Sequence, residues 1–113
     1  MCNANQLENI IVNVAAGAKE VLGSKLSDIL LYGSYARGDY DSESDIDIMI
    51  LLDMPPTELS KYRQAINHLA SRIGLNNDIM ISITLKDIET FTKYKDILPY
   101  YKNVLKEGIS IAS

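Results

Sequence analysis

The chain predicts an α/β (α+β) domain, a small mixed β-sheet flanked by helices. Three observations carry that reading. Apolar residues recur at helical spacing in an opening segment and again in the middle of the chain. Branched aliphatics alternate with other residues over two short segments, 45–53 and 78–85. The two kinds of segment take turns, with glycine or proline between them. A length of 113 residues suits one compact domain, taken as residues 1–113. No repeat, linker or low-complexity tract divides it.

In order along the chain, Leu7, Ile10, Ile11, Val14, Ala18, Val21 and Leu22 form one stripe, so the first element is an amphipathic helix ending near Gly23. Residues 28–34, DILLYGS, read as a short strand. Residues 45–53 form a second, with Ile46, Ile48, Ile50 and Leu52 on one face and Asp45, Asp47, Met49 and Leu51 on the other. Pro55 and Pro56 break it, and Thr57 starts a helix whose buried stripe is Leu59, Tyr62, Ile66, Leu69 and Ile73, closed by Gly74. Residues 78–85, DIMISITL, are a third strand with Ile79, Ile81, Ile83 and Leu85 together, and Asp78, Met80, Ser82 and Thr84 opposite. A polar helical segment follows from Lys86, then a helix from Pro99 through Lys106, Gly108 as its stop, and ISIAS as an edge strand. A right-handed crossover through the 57–73 helix makes the second and third strands parallel. With the first strand antiparallel to the second, Gly33, Ser34, Asp45, Asp47 and Asp78 converge on one rim.

Composition narrows the function. The apolar share of 47% and charged share of 23% are those of an ordinary globular domain. The longest apolar run, 46–52 with Asp47 inside it, is too short to cross a bilayer. The opening MCNANQLEN has neither the basic nor the apolar region of a secretory signal. The lone Cys2 cannot form an intrachain disulfide, and zinc sites need several soft ligands. These features predict a cytoplasmic protein. A net charge of −4 argues against a general nucleic-acid binder and implies that any polyanion arrives with cations.

The predicted rim is where the chemistry concentrates. Asp45 and Asp47 point the same way along one strand, and three clustered carboxylates repel unless cations relieve them. Such a set suits Mg²⁺, or Mn²⁺, rather than zinc. Paired ions are a recurring device for in-line displacement at phosphorus. Gly33 permits close backbone approach, Ser34 opens a helical turn that can receive a phosphate, and Arg37 stands near to add a cation. Each piece alone is ordinary: a Gly-Ser turn, an Asp-x-Asp on a solvated strand, an acid after Asn76-Asn77. Together, Gly-Ser, ten residues and Asp-x-Asp fix four positions. Chance produces that on the order of once in a thousand chains of this size.

At these residues the chain resembles the polymerase-β-like nucleotidyltransferase superfamily, and within it the minimal nucleotidyltransferases. The marks are Gly33-Ser34, the ten-residue spacer, SDIDI at 44–48 and an acid in NNDIMI. The resemblance runs from the Leu7 helix to the KEGISI ending. It implies two Mg²⁺ ions on Asp45 and Asp47, with Asp78 as a third ligand or as base for the acceptor hydroxyl. It also implies ATP as substrate, its triphosphate held at Gly33 and Ser34 with Arg37 stabilising the leaving pyrophosphate. The implied activity is that of a protein adenylyltransferase, moving AMP to a hydroxyl of a partner. The implied partner is an all-helical HEPN-type toxin, this chain being its antitoxin. Two alternatives stay open: an antitoxin that masks without catalysis, and a nucleotidyltransferase acting on an aminoglycoside-type small molecule. An oligomer is compatible with either.

Other residues are weighed lower. Arg63 and His68 have the R-x4-H spacing of HEPN ribonucleases but lie on the crossover helix, so His68 is read as solvated. Asp39, Asp41 and Glu43 read as loop acids. Tyr35 and Tyr40 are candidates to flank a nucleotide base or a partner, whereas Tyr94, Tyr100 and Tyr101 read as packing or interface.

Overall fold

The structure, a computed structural model, describes residues 4–41 and 43–111, and Cys2 lies outside them. Helix α1 (Ala4–Leu22) buries Ile10, Val14, Ala18 and Leu22, the stripe that its spacing dictates. Strand β1 (Leu26–Tyr32) runs into the single-turn helix α2 (Ser34–Arg37). Strand β2 (Ile46–Leu52), helix α3 (Ser60–Asn77) and strand β3 (Ile81–Asp87) form the crossover unit. Helices α4 (Ile88–Tyr94) and α5 (Pro99–Glu107) follow, and a short strand β4 (Ile109–Ser110) closes the chain order. The buried Asp87 caps α4 by accepting from the Thr90 amide at 2.8 Å.

The four strands lie in the order β3-β2-β1-β4. β1 is antiparallel to β2 and to β4, whereas β2 and β3 are parallel, giving the mixed sheet that the crossover argument predicts. β2 is the pivot, buried on both sides. Ile46, Ile48, Ile50 and Leu52 pack into the larger core with α1 and α3. Met49 and Leu51 join Leu30 in a second core, roofed by Phe91 of α4 and by Tyr101 and Val104 of α5. Each such aliphatic, fully withdrawn from water, contributes about 1.5–3 kcal/mol. Among the described residues no helix is long and apolar enough to cross a membrane.

The largest departure from the predicted elements is at the end of α3. Gly74 does not close the helix, which continues to Asn77. The Asn77 side-chain amide donates to the Ile73 carbonyl at 2.8 Å, and Gln6 of α1 donates to the Asn77 carbonyl at 3.1 Å. Asp78 then ends the helix in the left-handed region, φ 53°, and β3 starts at Ile81. Gly74 has a different task. It is buried, and a Cβ there would sit 2.6 Å from the carbonyl oxygen of Ile79, so the missing side chain lets the helix and the returning chain touch. The intrinsic helical preference for alanine over glycine is about 1 kcal/mol, while forcing a methyl against backbone costs about 1–3 kcal/mol. Gly74→Ala is therefore expected to lose up to about 2 kcal/mol in urea unfolding; a gain in stability would show that the approach is not tight.

Candidate active site

β1 ends on Tyr32, which pairs across the antiparallel ladder with Asp47. The next residue, Gly33, has φ 77° and ψ −158°, a region that side chains avoid. Its carbonyl accepts from the amides of Ala36 and Arg37, both at 3.1 Å, which winds the chain at once into α2. A Cβ on Gly33 would lie 2.5 Å from Oδ2 of Asp47. The carboxylate is thus laid directly against the glycine backbone where α2 begins, and Ser34 is the first residue of that turn. A helix's opening amides point outward and favour anions.

Asp45 is exposed just ahead of β2, and Asp47 is half-buried within it. Burial pushes the Asp47 carboxyl above the usual carboxylate range, and the negative charge of Asp45 pushes it the same way, while Arg37 opposes both. The structure therefore brings Gly33, Ser34, Arg37, Asp45 and Asp47 together. Arg37 is already engaged: Nε donates to Asp39 at 3.0 Å and Nη1 to Glu107 of α5 at 2.8 Å. In the loop between, Asp41 accepts from the Glu43 amide at 2.9 Å and from the Ser44 hydroxyl at 3.2 Å. Asp39 and Asp41 are thus occupied in holding Arg37 and the loop.

Asp78 does not join the pair. Its left-handed backbone turns the chain at the end of α3, and its side chain is exposed beside a groove of about 420 Å³ with Gly74, Leu75 and Met80. Among the described residues, no group of three or more His, Cys, Asp or Glu side chains is placed to share a metal. The β3 residue opposite Asp47 is Ser82, four positions later in the chain. Sequence alternation placed the strand too early: Asp78 lies outside β3, in the turn that ends α3. A strand bounded by Asp87, the cap of α4, would have pointed to Ser82.

Two tyrosines that sequence reasoning left out of the site border it. Tyr32 shares its face with Asp47, and its hydroxyl lies 2.8 Å from that of Tyr100 in α5, the rings meeting edge-on. Burial, then the Tyr100 hydrogen bond, raise the Tyr32 pKa well beyond its ordinary value. Tyr35 and Tyr40, the candidates to flank a base or a partner, stack on each other with centroids 4.2 Å apart, and Tyr35 is buried in the main core. Arg63 and His68 are exposed on α3, away from this rim.

What can such an arrangement do? Mg²⁺ is usually held by one or two carboxylates plus substrate phosphates and water. Asp45 and Asp47, mutually repelling and beside a glycine that admits close approach, fit an ion that arrives with a phosphorylated substrate.

Comparison with known proteins bears on the same rim. The Nucleotidyltransferase domain family matches residues 17–111. A protein of Methanocaldococcus jannaschii, provisionally named a protein adenylyltransferase, is 44% identical over 87 residues, covering 75% of this chain and 86% of that one. The protein adenylyltransferase MntA of Thermococcus cleftensis is 28% identical over 86 residues, 76% of this chain and 84% of its own. A crystal structure of a toxin-antitoxin with AMP-PNP superposes with a TM-score of 0.53 at 20% identity, covering 97% of this chain and 73% of that one. That likeness is one of fold.

Two outcomes follow from the geometry. Gly33→Ala places a methyl on Asp47 and forces alanine into a strained backbone region, so unfolding measurements are expected to show a loss of about 1–3 kcal/mol. For Asp47 the sign runs the other way. A carboxyl whose pKa is higher folded than unfolded holds its proton longer in the folded state, so stability falls as pH rises from the unfolded value through the folded one. Without divalent cations, Asp47→Asn is expected to melt at or above the parent's temperature at pH 7. The advantage should vanish once both states of the parent are protonated. A variant that melts lower at pH 7 would contradict this placement of the charge.

Proposed function

The chain belongs to the nucleotidyltransferase domain family, and from that premise we propose that it transfers AMP from ATP to a hydroxyl of a partner protein, acting as the antitoxin of a toxin–antitoxin pair. The observation that carries this reading is Asp47, with Asp45 two residues before it, laid against the Gly33 backbone at the mouth of α2. Relatives that bear the name protein adenylyltransferase support the reaction. The toxin-antitoxin that shares this fold in complex with AMP-PNP supports the context and the nucleotide. In this reading the acceptor is presented by another chain, for which a helical HEPN-type toxin is the proposed partner.

In this reading Asp45 and Asp47 would hold two Mg²⁺ ions, with Mn²⁺ able to substitute. When bound, the ions neutralise phosphate charge and polarise the α-phosphorus. Gly33 lets the triphosphate approach the backbone, the Ser34 hydroxyl donates to a phosphate oxygen, and the Arg37 guanidinium faces the leaving pyrophosphate. The acceptor oxygen bonds to the α-phosphorus as the bond to pyrophosphate breaks. Its proton departs toward the carboxylates of that rim.

Masking without catalysis is the second reading, and one observation favours it: the strand position opposite Asp47 holds Ser82 rather than a third acid. Labelled ATP separates the two. Incubated with Mg²⁺ and the product of its neighbouring gene, the chain is expected to label that product. Asp47→Asn should lower the rate by roughly a hundredfold or more, the loss of a few kcal/mol of charge stabilisation. Mg²⁺ with ATP should raise the melting temperature of the parent and not of the variant. Silencing of the neighbour with no label transferred would decide for masking.

A further inference from the structure

Arg37 is set by the far end of the chain. Its guanidinium bonds Asp39, two residues on, through Nε at 3.0 Å, and Glu107, seventy residues on, through Nη1 at 2.8 Å. The two carboxylates take Nε and Nη1, the nitrogens on either side of Nη2. Nη2 has no partner among the described residues. Arg37 ends the single turn that Ser34 opens, beside the Gly33 backbone on which Asp47 lies.

Glu107 is an odd residue for its position. It is the last residue of α5, where the helix dipole disfavours an anion. Its side chain is only 24% exposed, against 44% for Arg37. The covering of the second core by Tyr101 and Val104 fixes where that end of α5 lies. Gly108 then turns the chain into β4, which pairs with Leu30 and Leu31 of β1. The pair thus couples two elements that each have an independent anchor in the sheet.

We propose that Glu107 is a positioning residue for nucleotide binding: together with Asp39 it holds the Arg37 guanidinium at Nη1 and Nε so that Nη2, between them, presents its donors to the triphosphate. This rests on the nucleotide reading above. A planar fork with five N–H groups can serve two carboxylates and a phosphate at once, which a lysine cannot. The nucleotide therefore need not displace Glu107, and the C-terminal helix becomes part of the apparatus that sets its affinity.

The test is titration of the full chain with Mg·ATP, alongside steady-state transfer. A partly exposed pair supports only a modest effect, so Glu107→Gln is expected to weaken ATP binding about three- to fivefold and raise KM by that factor, with kcat nearly unchanged. Glu107→Asp should recover most of the affinity. Arg37→Lys should weaken binding comparably, and adding Glu107→Gln to it should cost nothing more. Unchanged affinity with a lowered melting temperature would make the pair a structural tie and overturn the proposal. Tighter binding would overturn it too, by showing that Glu107 competes with phosphate. If the unmodified chain binds no Mg·ATP, the nucleotide reading falls and takes this one with it. Normal binding by the parent with no response at Glu107 sinks only this proposal.

Discussion

The contact between the Asp47 carboxylate and the backbone of Gly33 is the constraint on which the rest of the site depends. Antiparallel pairing sets Tyr32 opposite Asp47, so the chain leaves the sheet directly alongside the carboxylate. With Oδ2 only 2.5 Å from where a Cβ would stand, any larger residue would have to push the acid or the turn aside. The same positive φ that removes the chain from the strand starts α2. One glycine therefore delivers both a desolvated carboxylate and a helix opening to the same spot.

The electrostatics of the rim follow from that crowding. Asp45 and Asp47 repel each other, and Arg37 is divided between Asp39 and Glu107. A pair of repelling carboxylates suits a hard cation that keeps substrate phosphates among its ligands. The cost in stability is tolerable because the site lies at the end of β2, while the middle of that strand is buried on both faces.

Much of this was legible beforehand. The α1 and α3 stripes, the alternation in β2 and β3 and the parallel pairing across the crossover all follow from period and connection rules. So did the meeting of Gly33-Ser34 with Asp45 and Asp47, because strand ends and a fixed spacer define it. Asp78 was misplaced for a physical reason. Gly74 looked like a helix stop, yet it is a point of close packing, and the helix persists until Asp78 takes the left-handed turn. A strand begun three residues too soon keeps the same faces but brings the wrong residue level with the site. The stacking of Tyr35 on Tyr40 was not legible, because spacing in a loop does not say which ring will be buried.

By itself, the sequence determined the alternation of elements, the faces they bury and the local constellation of glycine, serine and two aspartates, since all of these rest on short-range geometry. Only the tertiary structure decided that Ser82 stands opposite Asp47, that Tyr100 reaches Tyr32 and that Glu107 holds Arg37. Those relations depend on strand register and on how α5 lies across the sheet. Side-chain packing over long chain separations sets both, and no periodicity in the sequence records it.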